Sequence, residues 1–299
     1  MIRASQPLLD RCEGCGFPMC DEVCARGSRH MDECGLLARA ELREEIRAEV
    51  ASPAYAPVTI LRLLLLKDKD SDGWFRTNQL MDHLEDTGPC PEEWTWYNDK
   101  ILRHIRQSLG LGDSYSDEDI RHVIGLINVN AVCLQFPKMI GAPCTEVGKG
   151  CYPIFAIMSH HCICNARYFV NPETFNMFVR ARVAIKAGEE ITVQYLSALR
   201  GTHKRRRKIR DEWYFDCNCR RCRDPAECGT MISGVKCLRC HQGTLLPERP
   251  LEYNSPWLCN KVGHKKNTKQ ALKRSFCNLI ISLLFSARPE KTVIRLKRS

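Results

Sequence analysis

Thiols are the most abundant reactive groups in this chain: 19 of its 299 residues are cysteines, most of them at short, repeated spacings. Near the start, Cys12 pairs with Cys15, Cys20 with Cys24 and His30 with Cys34, giving C-x2-C, C-x3-C and H-x3-C in turn. A Cys-x-x-Cys elbow points two sulfurs at one ion, and zinc takes four such ligands in a tetrahedron. Six ligands complete one site and leave a pair over. Further on, Cys217, Cys219 and Cys222 (CNCRRC) supply three ligands and need a fourth, for which Cys228 is the local candidate and Cys162 a distant one. Last come Cys237 and Cys240 with Cys259. A ribbon knuckle would put their fourth ligand at Val262, so either His264 substitutes or the site is incomplete. Disulfides fit these clusters poorly, because the N-terminus carries no secretory signal and a reducing compartment is expected.

A second constellation lies between the sulfur clusters. Residues 158–165 read MSHHCICN, GKGCYPIFAIM leads into them, and 30 residues past Asn165 the segment GEEITVQYL carries Tyr195. CNCRRC follows. In this order the segments resemble the SET and MYND domain family of protein-lysine methyltransferases. MSHHCICN stands where that family has an NHSCxPN loop threaded through another segment in a knot-like crossing. GKGCYP is similar to its GxGLYP stretch, and VTILRLLLLK to its helical insert. The resemblance runs from Cys12 to Cys259 and is nearest to the insect branch of the family.

What the resemblance implies can be set out residue by residue. The fold class is α+β: a β-rich SET domain with a helical insert, a partial MYND zinc finger and a cysteine-rich post-SET zinc module. Along the chain these fall at 1–34 (finger), 35–127 (insert and linker), 128–200 (SET core) and 201–264 (post-SET region), with 265–299 expected as a disordered tail. Zinc would be held by Cys12, Cys15, His30 and Cys34, and again by Cys162 with Cys217, Cys219 and Cys222. Cys20 and Cys24 would belong to a site whose other ligands precede Met1. The reaction is an in-line attack of a neutral lysine amine on the sulfonium methyl of S-adenosylmethionine, where a protein contributes mainly positioning and a polar channel. Tyr195 would orient the amine with its hydroxyl. Ser159, His160, Asn165 and Trp213 would line the cofactor site, with Asn165 fixing the crossing by hydrogen bonds. The implied partners are a protein substrate, histone or other, and proline-rich peptides at the finger.

Several positions depart from the family pattern. Ser159 replaces a cofactor-contacting asparagine, His161 a serine, Cys164 a proline, and Trp213 the second active-site tyrosine. A glycine-rich GxG segment and a C-terminal helical domain have no counterpart, so truncation at both ends is expected. The alternative function is a catalytically impaired, zinc-organised interaction module acting in transcriptional regulation.

The elements that must position these groups are legible from periodicity. Val58–Leu66 is almost wholly apolar and predicts a buried helix. Leu36–Val50 reads as an amphipathic helix with charges of alternating sign, and Ile101, Ile105 and Leu109 share one face of another. Ser116 predicts an N-cap for a helix burying Ile120, Val123, Ile124 and Ile127. Alternating apolar residues from Phe175 to Ile185 predict a half-buried strand, and Gly188 a turn into a second strand, Ile191–Tyr195. The 44% apolar composition is that of a globular protein, and no run reaches the roughly 20 residues of a membrane helix. A soluble intracellular protein of the nucleus, the cytoplasm or both is expected. The net charge of +10 (45 basic minus 35 acidic) concentrates in HKRRRKIR (203–210) and the last 40 residues. It is expected to be structural and solvated charge there, without specific nucleic-acid binding.

Overall fold

The computed structural model describes residues 10–19, 21–38, 56–86, 98–135, 146–172 and 174–266. Cys20, most of the predicted helix Leu36–Val50 and nearly all of the tail lie outside the described residues. The chain forms two compact units. The first takes in the chain to His160, then Cys164–Val193 and Asp211–Tyr214; the second takes in His161–Ile163, Gln194–Arg210 and the chain from Phe215.

The first unit is built around helices. Strands β1 (Asp10–Arg11) and β2 (Pro18–Met19) form a small antiparallel hairpin, followed by helices Glu22–Arg26 and Ser28–Leu37. The apolar run predicted as a helix lies within Ala56–Lys69 and buries Val58, Ile60, Leu61, Leu63 and Leu64. Helix 98–103 continues into a π-helical turn, His104–Ser108, which lets Ile101, Ile105 and Leu109 all reach the core. Asp117–Asn130 begins at a capping box, in which the Ser116 hydroxyl accepts from the Asp119 N–H and the Asp119 carboxylate accepts from the Ser116 N–H. Ile120, Val123, Ile124 and Ile127 are buried against the other helices, as their spacing requires. Gly125 is needed where this helix passes the chain at Asp82, because a Cβ there would stand 2.6 Å from the Asp82 carbonyl oxygen.

From here the unit turns to short strands. β3 (Ala131–Gln135) pairs antiparallel with β4 (Glu146–Cys151), and a single helical turn, Pro153–Ala156, follows. β5 (Ser159–His160) pairs in parallel with β8 (Thr192–Val193), and β6 (Ala166–Val170) antiparallel with β7 (Met177–Ala181). The long strand predicted from Phe175 to Ile185 is therefore corrected to Met177–Ala181. Phe175 has φ of 55° in a turn, and Val183 is 59% exposed. Nor is the strand half-buried: Phe178 and Val179 on its two faces are both exposed, because alternation records only which residues share a face, not that anything covers it. The turn at Gly188, with φ of 82°, stands as predicted, while the strand after it shortens to β8.

The second unit has a smaller apolar core. Its sheet runs β12 (Lys265–Lys266), β11 (Trp257–Cys259), β10 (Thr244–Pro247), β9 (Val235–Lys236), all neighbours antiparallel. The helix Thr202–Trp213 and the short helix Arg220–Arg223 precede it. No helix among the described residues is long and apolar enough to cross a membrane.

Candidate functional site

In the first unit the N-terminal cysteines converge. The ligand atoms of Cys12, Cys15, His30 and Cys34 all lie within 4.8 Å of one another, with Cys12 Sγ 3.5 Å from Cys34 Sγ and Cys15 Sγ 3.8 Å from His30 Nε2. Four sulfurs placed about 2.3 Å from one tetrahedral ion stand roughly 3.8 Å apart, so the group fits zinc. Cys24 stands on the helix Glu22–Arg26, outside this group. Burial opposes ionisation of Cys12, yet the Cys15 backbone N–H and the His30 and Cys34 side chains bring its thiol down to about 6. Burial pushes Cys15 up to about 12. Such a set is poorly served by protons alone, and a cation among the sulfurs lets all of them ionise.

The sequence reading missed what aims His30. Its Nδ1 lies 3.3 Å from the carboxylate of Glu33, three residues on in the same helix, while Nε2 faces Cys15. Glu33 is fully buried and accepts two 2.6 Å hydrogen bonds from Arg62. A carboxylate behind a ligating imidazole fixes the tautomer that leaves Nε2 for metal. The signal was available as His-x-x-Glu on one helical turn, but nothing in the sequence pointed to Arg62, 29 residues away.

The second group forms within the second unit. Cys162 Sγ lies 3.9 Å from Cys217 Sγ and 3.6 Å from Cys222 Sγ, those two are 3.8 Å apart, and Cys219 completes the cluster. These separations are those of a tetrahedral thiolate site. Cys228, the local alternative, is exposed and outside it. Hydrogen bonds shared with Cys217, Cys219 and Cys222 push the Cys162 thiol up, while the same sharing drives Cys219 far down. Gln194 donates to the Cys162 carbonyl at 2.8 Å.

Behind this cluster lies a buried ion pair that HKRRRKIR did not reveal. Arg205 and Glu227 are each 1% exposed and meet at 3.0 Å. Arg205 also donates to Thr202 Oγ1 at 2.9 Å and to Cys222 Sγ at 3.6 Å. Arg206, buried too, donates to the Cys217 carbonyl at 3.0 Å and to Asp216. Two of the basic residues thus point inward, which corrects the reading of the whole run as solvated. A third sulfur group, Cys237, Cys240 and Cys259, gathers at one end of the β9–β12 sheet.

The remaining candidate residues sit around the β5–β8 crossing. Ser159 and His160 form β5 itself and are half-buried. Asn165 closes the loop: its Nδ2 donates to the Glu190 carbonyl at 2.8 Å and to Glu189, and its Oδ1 accepts from the Thr192 N–H at 2.8 Å. Arg182 donates to Cys164 Sγ at 3.4 Å, so the residue replacing proline is held by a charged neighbour. Trp213, also half-buried, ends the helix Thr202–Trp213 and belongs to the first unit. Tyr195, two residues beyond β8 and half-buried, belongs to the second.

A parallel pairing between a loop and a segment 30 residues later, with a cysteine of that loop joined to CNCRRC, is an unusual topology. The family model for the SET domain matches residues 37–196, over half of the chain. The chain belongs to the SET domain family. Within that family it is similar to SET domain-containing protein SmydA-8, isoform A, of Drosophila melanogaster, at 26% identity over 269 residues, 85% of this chain and 54% of the relative. It is similar also to the histone-lysine N-methyltransferase Smyd1 of Mus musculus, at 25% over 236 residues, 73% of this chain and 45% of the relative. A shorter match, 34% over 103 residues, joins it to the histone-lysine N-methyltransferase SMYD3 of Mus musculus, covering 34% of this chain and 23% of the relative. The chain is thus SMYD-like, and it spans about half the length of the first curated relatives it matches. As a SET protein its fold class is α+β, and its cysteine clusters fit the zinc modules that flank such a domain.

Proposed function

We propose that this chain is the methyl-transferring part of a SMYD-like protein-lysine methyltransferase, with S-adenosylmethionine as methyl donor and zinc in the Cys12 and Cys162 clusters. The observation that carries this reading is the β5–β8 crossing clamped by Asn165, from whose loop Cys162 is delivered to Cys217, Cys219 and Cys222. Family members named histone-lysine N-methyltransferases support a protein lysine as acceptor. In the reaction a neutral amine attacks the methyl carbon, the C–N bond forms as the C–S bond breaks, and the amine proton leaves to solvent. Little covalent assistance is needed, so the chain's task is to orient and desolvate the amine. Tyr195 accepts or donates one hydrogen bond at that amine, and Trp213 supplies an aromatic wall. Ser159 and His160 present the crossing strand to the donor, and the zinc clusters keep the loops from drifting.

The test is direct. The full chain, loaded with zinc, is incubated with radiolabelled S-adenosylmethionine and core histones or cell protein, and lysine labelling is read by mass spectrometry. Labelled lysine is expected, with Tyr195→Phe reducing the rate by roughly 10²-fold, as for a misplaced reactant, or changing the number of methyls added. An unchanged rate and product pattern would remove Tyr195 from this role. A folded, zinc-loaded chain that labels no lysine in any protein pool would defeat the enzymatic reading itself.

A further inference from the structure

The third sulfur group has the architecture of a metal site of its own. Cys237 follows β9 and Cys240 precedes β10; Cys259 ends β11 and His264 precedes β12. Because the sheet order is β12-β11-β10-β9 with every neighbour antiparallel, the β9–β10 and β11–β12 connections lie at the same end. Two knuckles therefore face each other across the sheet. Cys240 Sγ stands 3.6 Å from Cys259 Sγ, and His264 Nε2 stands 3.2 Å from Cys237 Sγ. Backbone amides point at the sulfurs, with the Arg239 N–H donating to Cys237 Sγ at 3.4 Å and the Gly243 N–H to Cys240 Sγ at 3.3 Å. Such donors favour thiolates over thiols and are what a Cys-x-x-Cys elbow presents around a cation.

Two glycines show that the end of the ribbon is built around the ligand atoms. A Cβ on Gly243 would stand 2.4 Å from Cys259 Sγ, so only glycine lets the first knuckle close over that sulfur. Gly263, at φ of 66°, carries the second knuckle past Val262, which is 56% exposed, and brings His264 in instead. The imidazole has its Nε2 turned to Cys237 and its Nδ1 buried with no hydrogen-bond partner among the described residues, a poor arrangement for a histidine that holds nothing. The apolar core under this sheet is only Val235, Cys237, Leu245, Trp257 and Cys259, with Cys240 at its edge, so half of it is cysteine. A sheet of this size does not fold on such a core and needs a staple.

We infer that residues 235–266 form a zinc ribbon in which Cys237, Cys240, Cys259 and His264 hold one further zinc ion. The site is independent of methyl transfer, since it uses none of the residues assigned to that reaction. Its role is to lock the four-stranded sheet, because metal bound only by the folded form adds its binding free energy to folding.

The experiment uses the full chain and reads each cysteine separately. Iodoacetamide labelling with peptide mapping is followed with and without a zinc chelator, the exposed Cys228 serving as the unprotected reference. Cys237, Cys240 and Cys259 are expected to be protected at first and to become reactive together as one zinc equivalent leaves. His264→Ala should release that equivalent at lower chelator concentration, and His264→Cys should restore its retention. Equal labelling of Cys240 and Cys228 in the untreated chain overturns the proposal. So does a chain in which chelator leaves the labelling of Cys237, Cys240 and Cys259 unchanged. If His264→Ala holds its metal as tightly as the unaltered protein, the histidine is removed as a ligand and the four-ligand site fails.

Discussion

The two units hold themselves together by different means. In the first, nineteen buried residues from the helices make one apolar cluster, and a single ligand cysteine, Cys15, is among them. In the second, the apolar cluster under the sheet has five members, two of which are Cys237 and Cys259, and the other buried groups include Arg205, Arg206, Glu227 and the sulfurs around Cys162. Apolar area stabilises at about 25 cal/mol per Å² whatever its shape, so a helical core tolerates local loss. Ligand atoms and a buried ion pair stabilise only in one geometry. A SET scaffold that must hold a threaded loop in place gains from the second kind of support where the loop is anchored.

The largest effect that follows is metal loss. Cys222→Ser removes one thiolate from the group around Cys162, which Arg205 also touches. Structural zinc contributes on the order of 10 kcal/mol at neutral pH, more than the stability of most domains. One zinc equivalent should be lost, and amide exchange in residues 194–210 and 215–266 should rise to the rate of unfolded chain. The helices of the first unit, Ala56–Lys69 and Asp117–Asn130, should stay protected. Loss of protection in both units together would erase the contrast drawn between them.

A smaller effect sharpens it. Glu227→Gln leaves the Arg205 guanidinium buried without its counter-charge, a change of about 3–5 kcal/mol in comparable pairs. Burial raises the Glu227 carboxyl, but the Thr202 hydroxyl, the Ser233 N–H and Arg205 together hold it below the ordinary carboxylate range. Its folded value therefore lies below its unfolded one. The stability it contributes is complete above the unfolded value, near pH 4–5, and is lost as pH falls through the folded one. Thermal melts should show the unaltered protein and Glu227→Gln far apart at neutral pH and converging in acid. A constant gap across that range would mean that the carboxylate's charge is not what matters.

How much of this could be read in advance depended on whether the information was local. Ser116 and the apolar face of Ile120, Val123, Ile124 and Ile127 were legible because a cap and a 3.6-residue period are set within one helix. The gathering of Cys162 with Cys217, Cys219 and Cys222 came from family resemblance, since spacing alone favoured Cys228 as readily. Arg205 was invisible for the opposite reason: six basic residues in a row look alike, and which of them turns inward is set by Glu227, 22 residues away. The strand at Met177–Ala181 was overestimated because alternation cannot show where a partner strand stops. Position 262 was wrong by one turn feature, since a left-handed Gly263 adds residues that a standard knuckle spacing does not count.

The smallest predicted effect separates the two kinds of support most cleanly. Ser116→Ala deletes the hydroxyl that accepts from the Asp119 N–H at 3.1 Å, and with it the reciprocal geometry in which Asp119 accepts from Ser116. Removing such a cap costs about 1 kcal/mol. Asp119 keeps its 2.8 Å contact with Lys67, which holds the helix Asp117–Asn130 to Ala56–Lys69, so the helix frays at its first turn and does not detach. Denaturant titration should show a shift of that size in the unfolding of the first unit, with zinc content and the chelator sensitivity of Cys162 unchanged. If instead this surface hydroxyl alters how firmly the Cys162 cluster holds metal, the helical core and the ligand-built unit are one cooperative structure, and the division of labour proposed for them is wrong.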